Sequence, residues 1–122
     1  MKHIFSLLII ILCFSSCNID KKTEISVTNN TSSIIDSLKI TYGTEKENKK
    51  YLINNVNSGL KVKALLDMNL KGVDGGYFLE IFQKEKKIEK YFGYYSNAVF
   101  KNYIFDLKIE KDTLLINKNL VN

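Results

Sequence analysis

The chain has 122 residues, 18 of them lysine and none arginine, against 13 acids, for a formal net charge of +5. One histidine, two cysteines and no tryptophan or proline leave little material for metal, thiol or histidine chemistry. Nucleic-acid sites draw on arginine for bidentate contacts, and the lysines here alternate with acids, so a solvated surface accounts for the charge.

The first segment has the layout of an export signal. Lys2 precedes an apolar run from Ile4 to Phe14 that only Ser6 interrupts. As a helix this run spans about 16 Å, roughly half of what a bilayer core of about 30 Å requires. Its length, charge and position are those of a signal-peptide core. Phe14-Ser15-Ser16-Cys17 then resembles the lipobox of bacterial lipoproteins. In that family a peptidase cuts before the cysteine, which is acylated and becomes the new N-terminus. The resemblance covers residues 1–17 and departs from the commonest pattern at Phe14, where leucine is usual. The Ile-, Lys- and Asn-rich composition is similar to that of Bacteroidota lipoproteins, which tolerate this looser box.

Carried onto this chain, the resemblance implies lipid on Cys17 and loss of residues 1–16. An ordinary secreted protein with unmodified Cys17 is the alternative. Cys13 and His3 leave with the signal, so the mature chain keeps neither a free thiol nor a histidine. Membrane lipid is then the first expected partner, and the acyl chains suffice for attachment. Asn18 in place of aspartate after the cysteine favours the outer membrane. The single acid Asp20, followed by Lys21-Lys22, favours a periplasm-facing position over the cell surface.

Residues 17–23 read as the lipidated cysteine and a polar tether, and residues 24–122 as one domain. Ile25 and Val27 alternate with polar residues before the turn cluster 29–33, and Leu38, Ile40 and Tyr42 alternate up to Gly43. Thr44–Lys50 reads as a charged loop, followed by a short strand at Tyr51–Ile53 and a turn at Asn54–Gly59. Leu60, Val62, Ala64, Leu66, Met68 and Leu70 keep period two over 11 residues, the longest strand signal in the chain. A helix is the competing reading there, because Lys-Ala-Leu-Leu-Asp-Met has helical propensity. Gly72–Gly76 reads as a turn. Tyr77–Gln83 and Ile88–Tyr95 follow as a hairpin, then a break at 96–98. Strands alternating at Tyr103–Ile109 and Thr113–Asn117 end the chain. Seven or eight strands without a helix predict an all-β fold, a single antiparallel β-sandwich of immunoglobulin-like or transthyretin-like topology. A small β-barrel is the runner-up.

No phosphate loop, dinucleotide fingerprint or catalytic triad is present, and no cofactor or metal is expected. Asp67, Asp74, Glu80 and Asp106 are the carboxylates a hydrolase would need, and the strand pattern places them in turns or facing solvent. The expectation is a non-enzymatic binding or structural domain that touches an envelope protein or glycan. An immunity or inhibitor lipoprotein is one version of it, and a carboxylate-based hydrolase is the competing class. Tyr91-Phe92-Gly93-Tyr94-Tyr95 puts aromatic rings on both faces of one strand, so Tyr91, Tyr94 and Tyr95 are candidate binding aromatics. The loops Thr44–Lys50, Asn54–Gly59 and Ser96–Asn102 are further candidate contact surfaces. Asp36-Ser37-Leu38 and Asp112-Thr113-Leu114 resemble the O-glycosylation signal of exported Bacteroidota proteins, which would put glycan on Ser37 and Thr113.

Overall fold

The computed structural model describes residues 20–97 and 100–121. The expected signal sequence and Cys17 lie outside these residues. Eight strands run β1 (Lys22–Asn29), β2 (Ile35–Thr44), β3 (Asn48–Val56), β4 (Lys61–Asp67), β5 (Asp74–Gln83), β6 (Lys86–Ser96), β7 (Tyr103–Ile109) and β8 (Leu114–Leu120). They form two four-stranded sheets, in the orders β4-β1-β7-β8 and β3-β2-β5-β6. The fold is a β-sandwich with no helix among the described residues and no closed barrel.

An immunoglobulin-like domain keeps its first two strands in one sheet. Here β1 and β2 lie in different sheets, which leaves the transthyretin-like arrangement of the two anticipated. Every pairing is antiparallel except β1 with β7, which run parallel with Ile25 opposite Phe105.

The core is the inward half of each alternation. Ile25 and Val27 of β1, Ala64 and Leu66 of β4, and Phe105, Leu107 and Ile109 of β7 meet Leu38 and Ile40 of β2 and Tyr77, Leu79 and Ile81 of β5. The period-two run at 60–70 is strand as far as Asp67, and its apolar tail, Met68 and Leu70, is buried beyond it. Burial of Ala64, Leu66, Met68 and Leu70 on one face decides against the local helical propensity, since a helix would turn part of that run to solvent.

Several boundaries moved. Strand β1 begins at Lys22, and Thr23 within it is fully buried. Strand β3 begins at Asn48 and continues to Val56, so both flanking loops are shorter than the composition suggests. Gly75 and Gly76 are extended members of β5 rather than turn residues, and Gly72 carries the positive φ of that bend. At Gly75 a Cβ would strike the carbonyl oxygen of Gly43 on β2. Close approach of two strands, not a left-handed turn, is what glycine supplies there.

The crossover between the sheets after β1 is tied by a buried asparagine. Asn29 Nδ2 donates to the carbonyls of Ser33 (2.8 Å) and Val56 (2.9 Å), while its Oδ1 accepts from Thr31 N and Thr31 Oγ1.

Candidate functional site

The aromatic stretch on β6 is divided by a bulge. Tyr77 of β5 stands opposite Gly93, but Phe78 stands opposite Tyr91, so Phe92 is the extra residue. An extra residue resets the alternation of the strand. As a result Phe92 and Tyr95, three apart, both point into the core, where each is under a tenth exposed. Tyr91 and Tyr94, also three apart, both point outward and are 77% and 69% exposed. Without the bulge, period two would have put Tyr91 and Tyr95 on one face and Phe92 and Tyr94 on the other.

Tyr95 is therefore corrected from a candidate binding aromatic to a core residue. Its ring lies 5.8 Å from that of Tyr77 and 6.0 Å from that of Phe100, and burial pushes its hydroxyl pKa up to about 12. The hydroxyl of Tyr95 is buried and has no hydrogen-bond partner among the described residues. Burial likewise raises Tyr77 to about 12, although its hydroxyl is paired with Thr23 Oγ1 at 2.8 Å. Gly93 faces the same aromatic cluster, and a Cβ there would come within 2.9 Å of the Phe105 ring.

On the outer face of the second sheet the register lays out two adjoining rows. One reads Lys50, Thr41, Phe78, Tyr91, and the other Asn48, Gly43, Gly76, Tyr94. Gly76 leaves bare backbone in the second row, whereas the Asn48 side chain and the Glu47 carbonyl lie against Gly43, and the first row stands above Gly76. The result is a shallow hollow of about 200 Å³ lined by Thr41, Gly43, Asn48, Gly76, Phe78 and Tyr91, among others. The Phe78 and Tyr91 rings form its wall, with centroids 4.6 Å apart and planes tilted by 45°. Neither the Thr41 hydroxyl nor the Asn48 side-chain amide is engaged by a hydrogen bond among the described residues. Phe78, Thr41, Asn48 and the glycine pair were not apparent from the sequence. The cross-strand register that assembles them depends on pairings 33–37 residues apart, as for Thr41 with Phe78 (37 residues) and Gly43 with Gly76 (33 residues).

A second, larger hollow of about 340 Å³ lies between the sheet edges at β6 and β8. Its floor is Ile81, Ile88, Ile109 and Leu114, and lysines 86, 90 and 111 rim it. Lysines at the edges of sheets are a standard guard against edge-to-edge pairing, which accounts for this rim.

The four carboxylates do not converge. Asp67 ends β4, Asp74 begins β5, Asp106 sits on the outer face of the first sheet, and Glu80 on that of the second. Glu80 is not the solvated residue expected, because it is only 8% exposed. Lys39 Nζ lies 2.5 Å from one of its carboxylate oxygens and Lys87 Nζ 3.2 Å from the other. The hydrogen bond from Lys39, then that from Lys87, holds its carboxyl below the usual range. Asp106 accepts from Ser26 Oγ at 3.0 Å, and Asp67 bonds the backbone of Asn69, which lowers its pKa. No group of three or more His, Cys, Asp or Glu residues that could hold a metal occurs among the described residues.

Of the two glycosylation-like serine and threonine positions, Thr113 is exposed in the β7–β8 turn, and Ser37 is half-buried within β2 between Asn54 and Phe82. Among the candidate loops, Thr44–Lys50 is a tight hairpin whose Thr44 N donates to Glu47 O at 2.8 Å. At the start of the Ser96–Asn102 segment, Asn97 Nδ2 donates to the carbonyls of Leu70 and Gly72.

No protein-family model matches the chain, and no curated protein matches it. Among solved structures, one at a TM-score of 0.50 supports the fold. A protein from Eubacterium rectale determined by NMR aligns with 84% of this chain and 93% of its own, at 13% identity and a TM-score of 0.50. A protein of Bacteroides ovatus ATCC 8483, provisionally assigned to cell adhesion, aligns over 81% of this chain at 12% identity and a TM-score of 0.41. The present chain spans 44% of that protein. At these identities the likeness concerns the β-sandwich alone.

Proposed function

We propose that the chain is a lipid-anchored protein of the bacterial cell envelope whose β-sandwich binds another envelope component without catalysing a reaction. The observation that carries the reading is the outward aim of Tyr91 and Tyr94, the two most exposed large apolar side chains among the described residues. A domain with no use for these rings would replace them with polar residues at little cost, since an exposed ring contributes little to folding. Tyrosine is enriched at contact surfaces, where it offers apolar area and a polar tip together.

The anchor rests on the lipobox-like Phe14-Ser15-Ser16-Cys17, and no helix among the described residues is long and apolar enough to cross a membrane. Asn18 supports the outer membrane over the inner, and the Asp20-Lys21-Lys22 segment supports a periplasm-facing position over the surface.

The test is chemical cross-linking in native membranes, comparing the wild-type chain with Tyr91→Ala/Tyr94→Ala. A defined cross-linked species that disappears in the variant, at equal expression, is the expected result. An unchanged cross-linking pattern refutes the contact face. In the same strains, Cys17→Ser is expected to release the protein from the membrane fraction, and continued membrane residence refutes the anchor.

A further inference from the structure

We propose that the hollow above Gly43 and Gly76 is a glycan-binding site that seats one sugar ring of a neutral hexose or N-acetylhexosamine oligosaccharide. The inference rests on the reading of this sheet face as the contact face and assigns it a ligand class.

Charge selects the ligand first. A quarter of the chain is charged, and four other surface hollows are each lined by one or more lysines. The lining of this hollow holds no charged side chain. Lys50, exposed opposite Thr41, stands outside the lining, so an ionic ligand seated on the floor would have no charge beneath it and its desolvation would be poorly compensated.

The remaining lining has two characters. Phe78 and Tyr91 supply an apolar wall, while the Thr41 hydroxyl and the Asn48 amide supply donors and acceptors. A purely aliphatic ligand would cover those polar groups and leave them unpaired. A pyranose ring presents C–H groups on its faces and hydroxyls around its rim, and so answers both. Tyr94 stands beside Gly76 in the next position along β6, where it can cover a neighbouring sugar.

The floor is open by construction. A Cβ on Gly76 would meet only the Gly93 carbonyl oxygen, at 3.1 Å, and otherwise project into free space. A methyl group there would occupy the ligand's place, which gives a blocking variant distinct from loss of the rings.

The experiment titrates the full chain with cellotetraose, maltotetraose and chitotetraose and follows backbone amide shifts by NMR. Saturable shifts at Thr41, Gly43, Asn48 and Gly76 with at least one of the three are expected. Tyr91→Ala and Gly76→Ala should each weaken that binding about tenfold or more, and Leu65→Ala, on the outer face of the other sheet, should leave it unchanged. Unaltered thermal midpoints show that each variant is folded, and Tyr91→Ala, the more exposed site, decides if Gly76→Ala fails this control. Absence of shifts with all three sugars overturns the proposal, as do shifts that Tyr91→Ala does not weaken. If the sugars fail while Tyr91→Ala/Tyr94→Ala still removes the cross-linked species from membranes, the glycan assignment falls and the contact face stands with a protein partner. Failure of both experiments removes both.

Discussion

Two buried tyrosines that face one another in the core should respond in opposite ways to the same one-atom change. Tyr77 and Tyr95 have ring centroids 5.8 Å apart, and each is almost completely buried. The Tyr77 hydroxyl is bonded to Thr23 Oγ1, which is itself fully buried. Tyr77→Phe strands that threonine, and an unsatisfied buried polar group costs about 1–3 kcal/mol. The Tyr95 hydroxyl already lacks a partner among the described residues, so Tyr95→Phe removes a penalty instead of creating one. It should be neutral or stabilising by up to about 1 kcal/mol. The two substitutions should therefore differ by about 2–3 kcal/mol. For a domain of about 100 residues, 1 kcal/mol moves the melting temperature by roughly 4 °C or more, so the variants should melt some ~10 °C apart. Paired thermal and urea unfolding of the wild type and both variants measures this. If Tyr95→Phe destabilises as much as Tyr77→Phe, the Tyr95 hydroxyl is bonded after all and the account of this cluster fails.

Other outcomes follow from the same structure. Asn29→Ala removes four hydrogen bonds at the first crossover and leaves the Val56 carbonyl without its side-chain donor, so a loss of about 2–4 kcal/mol in urea unfolding is expected, and a loss under 1 kcal/mol would refute its tying role. Tyr77 and Tyr95 have folded pKa values raised from 10.0 to about 12, so the unfolded chain ionises first. The stability they contribute is complete below pH 10 and is lost as the pH rises towards 12; urea unfolding should show stability falling across that window, and a stability unchanged between pH 10 and 12 would contradict the burial. Glu80 has the opposite sign, because Lys39 and Lys87 depress its folded pKa below 4.5. Its contribution is complete above pH 4.5 and falls away in more acid solution, and Glu80→Gln should flatten the acid limb of the stability curve.

Much of the architecture was legible because one-sided burial imposes period two. Ile25, Val27, Leu38, Ile40, Leu66, Phe105 and Leu107 all stand on the inward parity that their spacing indicates. What the sequence concealed depends on contacts between distant strands. The bulge at Phe92 exchanges the faces of Tyr94 and Tyr95, and its one local mark in Tyr-Phe-Gly-Tyr-Tyr is Gly93, a glycine inside a strand. Gly75-Gly76 has the composition of a turn, yet both are strand residues and Gly75 is there to let β2 approach β5. Glu80 reads as a solvated outward residue until the register brings Lys39 opposite it and Lys87 within reach. The hollow was invisible for the same reason, since its wall and its floor belong to different strands.

The parallel partnership of β1 and β7 has a consequence for the order in which the molecule assembles. Ile81 and Ile88, paired across the β5–β6 hairpin, are 7 residues apart, whereas Ile25 and Phe105 are separated by 80. Each doubling of a loop adds about 0.6 kcal/mol of closure entropy, so the β1–β7 contact starts about 2 kcal/mol behind that hairpin. Strand β1 is among the first segments to be synthesised, but it must wait for nearly the whole chain before its second neighbour exists. The sheet that carries the tyrosine face starts from two local hairpins, β2–β3 and β5–β6, which join through pairings 31–45 residues apart, still well short of the 80 residues that separate Ile25 from Phe105.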